Sequence, residues 1–195
     1  MEAKQRKVAV ITSLGKKYSG TVDVPNENFR TTDLFNSSNI FWKNPNLKCY
    51  DDAIFMSDVL LFLDDTTIYK RFDSVQIKLS EIIYLFDESE GIGNALEKKR
   101  ATTMIQQHNE AGQMVQIITR RVANSFYDIT GVFFGLFKKK SKDNFIALTQ
   151  AKIVEVHRGL NKWIPGEIKL PHNFICVSNS HIESVTLKPI APKHE

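Results

Sequence analysis

The stretch IFMSDVLLFLDD at residues 54–65 has a counterpart in NFIALTQAKIVEV at residues 144–156. Each is an apolar run, a small hydroxyl residue, a polar residue and a second apolar run. Aligning them sets Met56 against Leu148, Ser57 against Thr149, Asp58 against Gln150 and Val59 against Ala151. The likeness continues in the same order on both sides. KVAVITS at 7–13 stands against MVQIITR at 114–120, with Val8 against Val115 and Thr12 against Thr119. YSGTVDV at 18–24 stands against YDITGVFFG at 127–135, and SEIIYL at 80–85 against SHIESV at 180–185, with Ile82 against Ile182. Strands resemble one another because few residue types suit a pleated surface. Four matches in one order ask for more than that, and the expectation is an internal duplication.

Each copy reads as β structure. Val22 and Val24 alternate with Thr21 and Asp23, and Val75, Ile77 and Leu79 alternate with Gln76, Lys78 and Ser80, the period of half-buried strands. The register changes near Glu81, so SVQIKLSEIIYLF predicts a strand, a tight bend and another short strand. Pro25 stops the second strand. FRTTDLFNSS then predicts a short helix or turn, with Thr31 or Thr32 as cap, Asn36 as stop, and Leu34 and Phe35 facing the core. NIFWKNPNLKCYDD reads as a loop. Gly91 and Gly93 precede a polar segment that predicts an exposed helix from about Ala95 to His108. The expected organisation is mainly β: two small, partly open five-stranded barrels joined by a short helix, with units at 1–90 and 113–195 and a linker at 91–112. Closing short, bent strands into a barrel hides their edges.

This arrangement resembles the small-barrel group of Sm-like and SH3-like domains. The opening pattern of that group appears as Val10, Thr12, Gly15, Gly20 and Val22, and its finish as Ile82 to Leu85. It is also similar to uncharacterised bacterial β-proteins that carry an RTDLFN-like segment, here Arg30, Thr32, Asp33, Leu34, Phe35 and Asn36. Their later segment matches Phe145, Leu148, Thr149 and Ala151. The second half lacks the RTTDLFN segment. The resemblance implies a tandem small-barrel binding protein, of which the Sm-like kind binds RNA or DNA.

The motifs of several chemistries are missing from the sequence. GxxxxGK[ST], GxSxG and HExxH do not occur. His172 and His181, nine residues apart, are the one histidine pair that could ligate a metal, and the acidic group Asp51, Asp52, Asp58, Asp64 and Asp65 lacks the glycine and terminal Glu of a calcium loop. Cys49 and Cys176 form no CxxC, which suits two reduced thiols in a cytoplasmic protein. The segment from Val8 to Leu14 is too short for the apolar core of a signal peptide. No catalytic residue, cofactor or metal is expected, and Ser57 and Thr149 are assigned structural roles.

Charge separates the halves. Residues 1–92 hold 11 Lys/Arg against 14 Asp/Glu, and residues 93–195 hold 15 against 8. A basic half attracts nucleic acid, an anionic surface or the acidic half of another copy. Lys138, Lys139, Lys140 and Lys142, between Phe137 and Phe145, form the candidate phosphate-binding patch, with Arg120 and Arg121 as possible additions. Trp42 and Trp163 are placed in loops, with core packing as their expected role. The favoured function is a non-catalytic binding or assembly protein acting through a protein partner or through homo-oligomers. Nucleic-acid binding is the alternative. A further alternative is a cyclic-dinucleotide receptor of the PilZ kind, although neither of its motifs is complete here.

Overall fold

The computed structural model describes residues 4–26, 28–36, 53–64, 66–88, 95–96, 99, 102–103, 112–122, 124–134 and 144–188. The first half supplies β1 (Lys4–Thr12), β2 (Lys17–Val24), α1 (Thr31–Asn36), β3 (Ala53–Phe62), β4 (Ile68–Lys78) and β5 (Ile82–Asp87). The second supplies β6 (Gln113–Thr119), β7 (Ser125–Phe133), β8 (Phe145–Arg158), β9 (Trp163–Ile168), β10 (Phe174–Ser178) and β11 (Ile182–Lys188). A 3₁₀ turn, Leu79–Glu81, joins β4 to β5, and another, Asn179–His181, joins β10 to β11. The bend expected near Glu81 is the first of these.

All pairings are antiparallel and belong to one open sheet, in the order β11-β6-β7-β8-β10-β5-β1-β2-β3-β4, with β9 added to β8. The protein is therefore mainly β, as expected, but its strands form a single path rather than two separate sheets. The reason is β10. It pairs with β8 through Phe174 to Ser178 and also with β5, setting Cys176 opposite Leu85 and Val177 opposite Tyr84. Among the described residues the second half has six strands rather than five, because β9 and β10 are separate strands along β8. Pro171, which has no amide donor, lies between them.

Local geometry recurs at the positions aligned above. Val8 lies opposite Gly20, and Val115 opposite Gly131. Thr12 lies opposite Ile82 and Thr119 opposite Ile182, each beside a register shift. Asp58 and Gln150 both enter the left-handed region, at φ 50° and 51°. A further register shift lies beside each, between β2 and β3 and between β7 and β8. Such bulges bend a strand and raise its twist. The bend brings backbone close to backbone. A Cβ on Gly20 would sit 2.9 Å from the Ser57 carbonyl oxygen, and one on Gly131 would sit 3.1 Å from that of Thr149. Only glycine tolerates that approach without a shift.

Two cores flank the middle of the sheet. One joins Val8, Val10, Leu34, Phe35, Ile54, Met56 and Leu85 to Phe145, Phe174 and Cys176 of the second half. The other joins Ile117, Ile129, Leu148 and Ile153 to Ala9, Ile11, Ile83, Tyr84 and Phe86 of the first. Successive residues of β1 and β10, and of β5 apart from Ile83 and Tyr84, thus face different cores. This explains why VAVI, IIYLF and FICV are unbroken apolar runs, since a strand covered on both faces has no reason to alternate. Of the expected linker helix, the described residues 95, 96, 99, 102 and 103 are helical, and the Thr103 hydroxyl donates to the Lys99 carbonyl at 3.1 Å. The rest of that segment, and the loop carrying Trp42 and Cys49, lie outside the described residues.

Candidate interaction edges and a basic aromatic hairpin

The α1 segment is where the halves lock together. Asn36 presents its side-chain amide to the backbone of Phe145: Nδ2 donates to the Phe145 carbonyl at 2.9 Å, and the Phe145 N–H donates to Oδ1 at 2.7 Å. The rings of Phe35 and Phe145 meet edge to face at 5.7 Å. Thr32 Oγ1 lies 3.4 Å from the buried thiol of Cys176. At the start of the helix, Arg30 pairs with Asp33. Arg6 is only 2% exposed and donates to the Phe29 carbonyl at 2.7 Å and to Thr31 Oγ1 at 2.9 Å. Thr31 in turn donates to Asp87 Oδ1 at 2.8 Å. Burial pulls the Arg6 guanidinium below its usual pKa, and the charge of Asp87 pushes back. Nothing in the composition around Arg6 marks it as buried. Its register with Val8 and Val10, on one face of β1, was the available signal.

Among the described residues, β4 and β11 end the strand order, and β9 is paired to β8 alone. Edge strands carry unpaired amides and carbonyls and template the addition of further strands unless charge, bulges or coverage prevent it. The 3₁₀ turns stand at the β4–β5 and β10–β11 bends, and the imidazole Nε2 of His181 lies 2.9 Å from the Ser80 carbonyl oxygen. His181 thus contributes to the contact between halves. Among the described residues no group of three His, Cys, Asp or Glu is placed to hold a metal ion.

A second surface lies at the β8–β9 hairpin. Trp163 is on β9, opposite Arg158, and is 42% exposed, so its expected placement in a loop with core packing is corrected. Its ring meets Phe126 at 5.8 Å, and the Arg121 guanidinium lies 5.3 Å from the ring centroid. Leu160 and Ile164 are exposed beside it. Arg120 is also exposed, and its N–H donates to the His181 carbonyl at 2.7 Å. Lys138, Lys139, Lys140 and Lys142 lie outside the described residues.

The remaining candidates are structural in geometry. Ser57 and Thr149 are the residues whose carbonyls approach Gly20 and Gly131, and the Ser57 carbonyl also accepts from the Thr21 hydroxyl at 3.2 Å. Asp64 closes the β3–β4 turn by accepting from the N–H groups of Thr66 and Thr67 at 2.9 and 2.8 Å, which lower its pKa to about 2. Tyr127 is held well above the usual phenol range by burial, with the nearby charge of Glu155 adding to the effect. No described helix is long and apolar enough to cross a membrane. The described residues define a protein built on one open antiparallel β sheet. No family model matches the sequence, and no curated protein or solved structure does either.

Proposed function

We propose that this is a cytoplasmic, non-catalytic interaction and assembly protein, built by duplication from two partly open small barrels of the Sm-like kind, and that it binds protein partners along its sheet edges. The observation that carries the reading is the β10–β5 pairing. One half of the chain already recognises the other by adding a strand to an edge, and among the described residues β4 and β11 end the strand order. Strand addition of this type draws affinity from main-chain hydrogen bonds and specificity from alternate side chains. The duplication is supported by the paired bulges, the left-handed Asp58 and Gln150, the two glycine approaches and the two 3₁₀ turns.

The test uses a tagged chain in native lysate treated with nuclease. Expected is elution well above the mass of one chain, falling when lysines are placed on both edges as Ser74→Lys and Thr186→Lys. Both positions are exposed, so the fold tolerates the change, and edge lysines discourage strand addition. Elution of the unaltered chain at its single-chain mass overturns the reading.

One observation favours nucleic acid as a second reading: the exposed Trp163 lies under Arg121 and beside Phe126. Aromatic rings stack on bases while cations meet phosphates. The measurement is binding of a fluorescent single-stranded oligonucleotide. The second reading expects affinity that falls steeply with salt and at least tenfold in Trp163→Ala. Affinity indifferent to both discards it.

A further inference from the structure

We propose that one rim of the molecule, built from turns of both halves, docks on an anionic phospholipid surface, with the tips of the β3–β4 and β8–β9 hairpins placing exposed aliphatic side chains among the headgroups. The proposal is independent of the edge-binding reading, which concerns strand edges and protein partners.

The apolar side chains come first. Large hydrophobic residues scattered singly over a surface need no explanation. Here they are gathered. Among the described residues eight such side chains are exposed, and seven belong to turns or to the strand ends beside them. Leu63, Ile68 and Tyr69 are at the β3–β4 tip, and Leu14 is in the β1–β2 turn. Leu160, Trp163 and Ile164 are at the β8–β9 tip, where Leu160 is fully exposed. The eighth, Leu187, is on β11.

These turns touch one another. Ser13, next to Leu14, donates its N–H to the Glu81 carbonyl of the first 3₁₀ turn at 2.7 Å. The His181 ring of the second 3₁₀ turn lies 2.9 Å from the Ser80 carbonyl oxygen. The His181 carbonyl accepts from the Arg120 N–H at 2.7 Å, and the adjoining Arg121 lies 5.3 Å from the Trp163 ring centroid. In the other direction, Lys17 at the start of β2 is paired with Phe62, the residue before Leu63. Contacts therefore run from one tip to the other through both 3₁₀ turns, and the halves present a shared rim.

Charge selects the occupant. The sequence segments 13–17, 63–71, 79–81, 120–125, 157–164 and 179–181 together hold eight Lys/Arg against three Asp/Glu. That excess of five is larger than the +4 of the whole chain, which leaves the rest of the protein at −1. The acids are Asp64, Asp65 and Glu81. Asp64 accepts from the Thr66 and Thr67 amides, and Glu81 accepts from the Ser13 hydroxyl at 2.5 Å. Lys16, Lys70, Arg71, Arg120, Arg158 and Lys162 are exposed. An anionic leaflet attracts such a basic surface, and apolar side chains beside the cations settle at the boundary of headgroup and acyl chain. Trp and Tyr favour that boundary, and each tip carries one of them. Nucleic acid would use the cations and the two rings, but its bases stack on aromatic faces and give leucine and isoleucine no comparable role. Five of the seven side chains are aliphatic, so lipid is the better fit.

The test is co-sedimentation of the purified full chain with vesicles of phosphatidylcholine alone, or of phosphatidylcholine and phosphatidylglycerol in about equal parts. The chain is expected to bind the mixed vesicles far more tightly, and to lose affinity as salt screens the charges. Leu63→Ser and Leu160→Ser should each lower the partition coefficient about fivefold, and together about twentyfold, because both tips enter one surface. Acyl chains carrying bromine should quench tryptophan emission, and Trp163→Phe should remove most of that quenching. The substituted side chains are exposed, and circular dichroism confirms that each variant is folded. A chain that ignores anionic vesicles overturns the proposal. Binding that both leucine variants leave unchanged also overturns it, because charge alone then holds the chain. Binding of a single-stranded oligonucleotide in place of vesicles, equally tight in both leucine variants, overturns it too and makes the rim a nucleic-acid face.

Discussion

Gln150 holds φ at 51° inside β8, and its counterpart Asp58 holds 50° inside β3. Left-handed backbone costs an L-residue roughly 1–2 kcal/mol, less for Asp and Asn, whose short side chains bond locally. Gln150→Val should therefore lower the urea midpoint of unfolding by the equivalent of about 1–2 kcal/mol, since a β-branched residue tolerates positive φ worst. Gln150→Gly should leave the midpoint equal to wild type or raise it. A Gly variant as unstable as the Val variant would show that the side chain, not the backbone, matters there. The sequence showed this site only in part. Ser57 and Thr149 matched visibly, whereas the strain lies one residue on, where Asp is a familiar left-handed residue and Gln is not. Asp64 gives a second test at this scale. Its pKa is lowered from 3.8 to about 2 because the carboxylate accepts from the Thr66 and Thr67 amides. A folded pKa below the unfolded one means the group favours the folded turn fully above pH 3.8, with the benefit lost as pH falls through about 2. Amide chemical shifts of Thr66 and Thr67 should titrate with a midpoint near 2. Asp64→Ala should remove the titration. A midpoint near 4, the ordinary carboxylate value, would count against the turn.

Among the elements, α1 shows how far sequence reading reaches. Its existence, its stop at Asn36 and its core residues Leu34 and Phe35 were readable from caps and apolar spacing. Its role was not, because Asn36 looks like any helix terminator until Phe145, far along the chain, supplies the backbone it bonds. Removing that amide leaves a buried N–H and C=O of Phe145 without their partner. Each such orphaned group costs about 1–3 kcal/mol. Asn36→Ala should destabilise the protein by about 2 kcal/mol and speed hydrogen exchange at the Phe145 amide, while the Met56 amide in β3 keeps its protection. Equal loss of protection at both would mean global destabilisation rather than an opened clamp. The strands follow a different logic. β2, half covered, announced itself by alternation. β5 and β10, covered on both faces, appeared only as apolar runs whose neighbours could not be named.

For the whole molecule, recurrence along the chain suggested two units, and the recurrent bulges fall where that reading placed matched residues. What the sequence could not reveal is that β10 joins β8 to β5 and makes one sheet, because edge-to-edge pairing is written in main-chain groups that every residue shares. The consequence is testable by cutting the chain. A fragment of residues 1–90 lacks Phe145, Phe174 and Cys176, which help fill the first core. A fragment of residues 113–195 lacks Ala9, Ile11, Ile83, Tyr84 and Phe86 from the second. Each lost large side chain removes burial worth about 1.5–3 kcal/mol, comparable in sum to the whole stability of a small domain. Neither fragment should unfold cooperatively alone. Mixed in equal amounts, the two should regain the near-ultraviolet circular dichroism of the intact chain and co-elute as a complex. Asn36→Ala in the first fragment should weaken that complex about tenfold or more, since two hydrogen bonds at roughly 1 kcal/mol each are lost. Cooperative unfolding of either fragment alone, at the midpoint of the intact protein, would mean that each half completes its own core and that the shared sheet is incidental to stability. Recovery of structure only on mixing would make the β10–β5 pairing a binding reaction carried out within one chain.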